Sequence, residues 1–256
     1  MLAFSDDLRR HCPETRFDDV IRFYSDARAF LLPKVRREDI SLVAKVPFKV
    51  AVILQIGLRR ALHLTESTVR ELNVGAFIPS FVLSRALLET ACVVYDTWDR
   101  AENAMKSADG SALADFDEHV MAALVGSRSE HWGHPEIVKA TNILTIVERL
   151  DRTFDGSIMG FYVDLSEHAH PNFAGMAAPY SQIDDANSET RFIDDPWKRW
   201  AKGIVIPVGA MAVSLLLLNS SLSKHHKSFM DLTRACEEGI YKRGTWPPDV
   251  PYPWNS

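Results

Sequence analysis

Tyr162, Ser166 and His170 lie four residues apart in the stretch YVDLSEHAHPNFAGM. At helical spacing this places a phenol, a hydroxyl and an imidazole on one face. Such a set can donate and accept hydrogen bonds, and the imidazole can move a proton. Pro171 disfavours helical geometry at His170, so the helix carrying the three is predicted to end there. A second group lies in IPSFVLSRALLETACVVYDTWDR, where Arg85 and Glu89 are the only charges between Glu71 and Asp96 and are again four apart. Their neighbours are apolar, so this helix is predicted to be enclosed on most sides with one cation and one anion on a single stripe. Burying an ion costs several kcal/mol even after relaxation, so the pair needs further hydrogen bonds. Tyr162, Ser166 and His170 are of the right types to supply them.

Two readings stand on these five residues. In a working pocket, His170 and Glu89 are the catalytic candidates. His170 would act as general acid/base and Glu89 would orient Arg85, which grips an anionic group such as a phosphate, with Tyr162 and Ser166 completing the ligand contacts. In a structural reading the same groups only fix the packing of two helices, and partner surfaces lie elsewhere. The expected partner is a small anionic ligand or RNA, with no cofactor and no metal.

R-A-L-L-E on one apolar helix, followed by Y-x-x-L-S-x-x-x-H, resembles a bacterial family of all-helical proteins of unknown function, itself related to the HEPN superfamily of RNA-processing and defence proteins. The resemblance covers approximately residues 76 to 171 and marks Arg85, Glu89, Tyr162, Ser166 and His170. It implies an all-helical fold and a place in bacterial stress or defence, and it implies no reaction. HEPN ribonucleases carry R-x(4–6)-H, and Arg128 and His134 have that spacing. They fall in a predicted loop, however, and Ser129 replaces the usual amide or acidic neighbour.

Metal chemistry is the other reading of the histidines. Glu167 and His170 form an E-x-x-H, but di-iron bundles need a second such motif and further glutamates, and the sequence has no second one. Folding could still gather His119, His131, His134 and His168. No nucleotide loop of P-loop or Rossmann type and no G-x-S-x-G elbow is present.

The elements that must position these groups are helices. Helical spacing dominates, and alternating strand patterns are scarce. One helix is predicted from Pro13 to Leu32 and another from Arg37 to Asn73, bent or broken at Pro47, with Gly75 as its stop. Ala76 to Met105 follows with Pro79 in its first turn. Ser111 is a candidate cap for a helix to Leu124, Pro135 starts one reaching Arg152, and Asp155-Gly156-Ser157 turns the chain into the Tyr162 helix. Residues 177–196 read as an acidic loop. An apolar helix over 197–223 is followed by a last one from Ser228 to Tyr241, with His225 and His226 at the C-terminus of the first. The Pro/Trp-rich tail, 244–256, is predicted to be extended and to pack on the surface, or on a second subunit in a homodimer.

The expectation is therefore an all-α fold: one domain over 1–256, a multi-helix bundle around a buried apolar central helix. A net charge of −5 argues against broad binding to a phosphate backbone while leaving room for a local basic patch. Cys12, Cys92 and Cys236 are far apart and include no C-x-x-C, which fits reduced thiols in a cytoplasm; the N-terminus does not read as a secretory signal. The uncharged stretch from Gly203 to Ser223 approaches the length of a bilayer span, but Pro207, Gly209 and a serine-rich end favour a buried core helix over a membrane contact.

Overall fold

The computed structural model describes residues 2–107, 110–127, 141–193 and 201–254. Among them, nine helices pack together with one small two-stranded hairpin. Helix α4 (Phe77–Lys106) is the central element. It is flanked along much of its length by α3 (Val46–Asn73) and by α9 (Val205–Lys242). Leu87, Leu88, Ala91, Cys92 and Trp98 on α4 are completely or almost completely buried, and one hydrophobic core runs from Phe4 to Cys236. The buried hydroxyls of α4 and α9 cost little, because Thr90, Thr97, Ser214 and Ser221 each donate to a carbonyl one turn back.

Prolines decide several boundaries. Pro47 lies in the first turn of α3, where its missing N–H is not needed. It starts the helix rather than bending one that began at Arg37. Gly75 follows the end of α3 with φ 75°, the left-handed stop the sequence predicts. The helix expected from Pro13 to Leu32 is α2 (Phe17–Arg28), shorter at both ends. An additional helix precedes it: α1 (Asp6–His11) is capped by Ser5 and ends at Cys12 before Pro13.

Helix α5 (Gly110–Val125) and helix α6 (Ile143–Asp151) pack on α4. After Asp155 and Gly156, both at positive φ, α7 (Ser157–Ala169) begins. His170 is its C-cap in extended geometry (φ −86°, ψ 148°), as Pro171 requires. The 177–196 region is not an irregular loop where it is described. A short α8 (Ala178–Tyr180) leads into β1 (Ser181–Asp184), which pairs antiparallel with β2 (Glu189–Phe192). The Asp184–Asn187 side-chain turn closes that hairpin, and alternation over four residues is too short to be read in the sequence.

The helices expected over 197–223 and 228–241 are, from Val205 onward, one continuous α9 of 38 residues. No glycine or proline lies between Asn219 and Ser228, so nothing breaks the helix there. His225 is therefore mid-helix and largely buried, not at a helix end. Helices α4 and α9 are both long and apolar enough to cross a membrane, and 56% of each apolar window is buried inside the fold. The tail lies on α9: Trp254 Nε1 donates to Glu237 Oε2 at 2.7 Å, and Tyr252 stacks on Tyr241.

Candidate functional site

The α4 stripe and the α7 stripe meet. Arg85 Nε donates to Glu89 Oε1 at 3.1 Å, and Arg85 Nη2 donates to the Tyr162 phenol oxygen at 3.1 Å. The guanidinium carbon also lies 5.1 Å from the Tyr162 ring centroid, within cation–π range. Arg85 is half-buried, and its pKa is raised. Burial works against the charge, but the hydrogen bonds and charges of Tyr162 and Glu89 outweigh it. No described residue engages Nη1 of Arg85.

The rest of the α7 stripe is placed elsewhere. Ser166 donates to the Tyr162 carbonyl at 2.5 Å, turning its hydroxyl back along its own helix. His170 is exposed, and its imidazole makes no hydrogen bond with a described residue. Its extended backbone takes it out of the helical register that Tyr162 and Ser166 keep. The α7 imidazole that reaches α4 is His168, stacked on Phe81 with ring centroids 4.2 Å apart. The structure thus joins Arg85, Glu89 and Tyr162 and leaves Ser166 and His170 outside the cluster.

The same face of α4 continues for three more turns. Cys92, Asp96 and Arg100 follow Glu89 at helical spacing. Burial, and then the charge of Glu89, push the Cys92 thiol up to about 12, so it is an inert core group. Asp96 is fully buried and anchors three helices. Arg100 Nε is 2.8 Å from Oδ2, His119 Nε2 of α5 is 3.2 Å from the same oxygen, and Arg149 Nη2 of α6 abuts Oδ1. Arg149 Nη1 also donates to Asp99 at 3.2 Å.

This cluster is charge-balanced but poorly hydrogen-bonded, since Asp96 Oδ1, His119 Nε2 and Arg149 Nη2 lack aligned partners. Desolvation, and then the Arg100 charge, hold His119 down to about 4. Sequence reasoning missed the cluster although Asp96 continues the Arg85–Glu89 spacing. What hid it is that His119 and Arg149 arrive from other helices.

Beside Glu89 a groove of about 340 Å³ opens between α3, α4 and the facing ends of α5 and α6. Its walls are Ile53, Val93, Val94, Leu124 and Ile143, and its polar groups are Arg60, Glu89 and Thr90. Arg60 Nε donates to Thr90 Oγ1 at 3.0 Å. The two long helices approach closely at Gly57, where a Cβ would collide with Val94. The Asp96 cluster braces the far wall, because His119 and Leu124 share α5 while Arg149 and Ile143 share α6.

Arg128, His131 and His134 lie outside the described residues. Among the described residues, no group of three or more His, Cys, Asp or Glu side chains is arranged to hold a metal ion. Compared with protein-family models, curated proteins and solved structures, the chain matches none of them.

Proposed function

We propose that this protein is a binding module for a small phosphate-bearing ligand. The apolar part of the ligand lies in the α3–α4 groove and its phosphate is held by Arg60 and Arg85. The observation that carries the reading is the guanidinium of Arg85, fixed in place by Glu89 and Tyr162 with Nη1 engaged by no described residue. A pre-oriented guanidinium loses little freedom on gripping an anion. Glu89 links it to the groove, and two guanidiniums against one carboxylate leave the local charge positive. The groove volume falls within the range of small-molecule sites.

Binding without turnover is favoured over catalysis. The Cys92 thiol stays protonated, His119 is sealed behind Asp96, and the exposed imidazole of His170 makes no hydrogen bond with a described residue. A purely structural role for the Arg85 node is the competing reading, since its two visible contacts are internal. A ribonuclease reading rests on Arg128 and His134 alone. The test is a thermal-shift panel of inorganic phosphate, pyrophosphate and nucleoside mono-, di- and triphosphates. A member that raises the melting temperature of the native protein but not of Arg60→Ala or Arg85→Ala supports the proposal. A panel without effect, or an effect that both variants keep, contradicts it.

A further inference from the structure

We infer a second ligand site, separate from the Arg85 groove, in the cavity between the 29–40 connection, α3 and α9. Its ligand class is an amphipathic monoanion, an alkyl chain ending in a carboxylate. The cavity holds about 660 Å³, ample for such a molecule. Leu54 and Leu222 form its inner wall and are almost fully buried, whereas Leu32 and Met230 stand at its mouth 49% and 60% exposed. The apolar surface therefore runs without interruption from the core to solvent.

The polar groups sort by depth. Lys34, Arg36 and His226 line the outer part against one carboxylate, Asp39. Arg36 is only loosely paired, 4.0 Å from Glu38. Inside, the wall offers no free amide. Gln55 Oε1 accepts from the Leu32 N–H at 3.0 Å and from Arg59 at 2.9 Å, while its Nε2 donates to the Phe30 carbonyl at 2.9 Å. Those bonds also tie the 29–40 connection to α3, so the cavity is preformed. His225 adds a flat ring to the interior, packed edge-on to Trp98 at 5.1 Å and against Phe229 at 4.7 Å. Burial holds this imidazole down to about 4, so it is neutral at physiological pH. An uncharged, mainly apolar interior, in which His225 Nε2 lacks a hydrogen-bond partner among the described residues, lies under a cationic rim and suits an alkyl chain with an anionic end.

The experiment is calorimetric titration of the full chain with decanoate, decanol and decyltrimethylammonium below their micelle concentrations. The native protein is expected to bind one decanoate, roughly tenfold more tightly than the ammonium amphiphile, a difference of about 1.4 kcal/mol. Reversing the exposed rim with Lys34→Glu and Arg36→Glu inverts that order, and Leu222→Trp fills the cavity and removes binding of all three. The rim variants change only exposed residues, so they decide the matter even where Leu222→Trp fails to fold. Arg60→Ala, which tests the α3–α4 groove, leaves decanoate binding unchanged. No decanoate binding, equal binding of the three amphiphiles, an unaltered order in the rim variant, or loss of binding in Arg60→Ala each overturns the inference.

Discussion

Arg85 and Tyr162 are 77 positions apart, yet the guanidinium both donates to the phenol oxygen at 3.1 Å and lies over the face of the ring. One side chain thus joins α4 to α7 through a hydrogen bond and a cation–π contact. Removing only the hydroxyl with Tyr162→Phe should cost about 1 kcal/mol, the net worth of such a bond. Tyr162→Ala should cost more, since it also removes the ring. Urea unfolding of the two variants checks the order, and equal losses would show that the ring contributes nothing beyond the hydroxyl.

Asp96 should behave as a structural keystone. Asp96→Ala leaves Arg149 and Arg100 without their buried carboxylate, and breaking such a pair costs about 3–5 kcal/mol. Chemical denaturation measures this. A loss below roughly 1 kcal/mol would place Arg149 in solvent rather than against Asp96.

Acid should weaken the fold through two histidines. His119 and His225 both have folded-state values of about 4, below the ordinary imidazole value of 6.5. The unfolded chain therefore binds more protons between these values. The contribution is complete above pH 6.5 and is lost as the pH falls toward 4. Stability measured across that window should fall steeply, and His225→Phe should flatten the slope. A profile that His225→Phe leaves unchanged would contradict the burial of its imidazole.

Gly57 and Val94 should be coupled. Gly57→Ala inserts a methyl where α3 meets α4 and should cost about 1–3 kcal/mol through overpacking. Val94→Ala clears that space, so the double variant should recover part of the loss. Additive losses in a double-mutant cycle would mean that the helices do not touch there.

How much of this was legible in the sequence differs by residue. The enclosed helix around Arg85 and Glu89 could be read because nearly every neighbour is apolar. The end of α7 at His170 could be read because Pro171 dictates it. The pairing of Arg85 with Tyr162 was an inference from unmet hydrogen-bonding needs, and the structure places the two in contact. Ser166 could not be resolved, because a serine can bond back to its own helix as readily as outward. The extended backbone that ends the helix also carries His170 away from the stripe, a consequence of Pro171 that spacing alone conceals. The α9 continuity was hidden by the polar run NSSLSKHHKS, whose burial depends on α2, α4 and α9 packing together rather than on periodicity. Asp96 was visible as a residue but not as a centre, since its partners come from α5 and α6.

The central claim is that the Arg85 guanidinium, held by Glu89 and Tyr162, presents its free edge to a phosphate. Calorimetric titration of the strongest phosphate compound from the panel, against the native protein and Arg85→Lys, tests it most directly. Lysine keeps the charge but loses the planar fork, so affinity should fall by roughly tenfold or more, about 1.4 kcal/mol or above. Equal affinity for the two proteins would show that the anion is held elsewhere and that Arg85 serves only to pin α4 to α7.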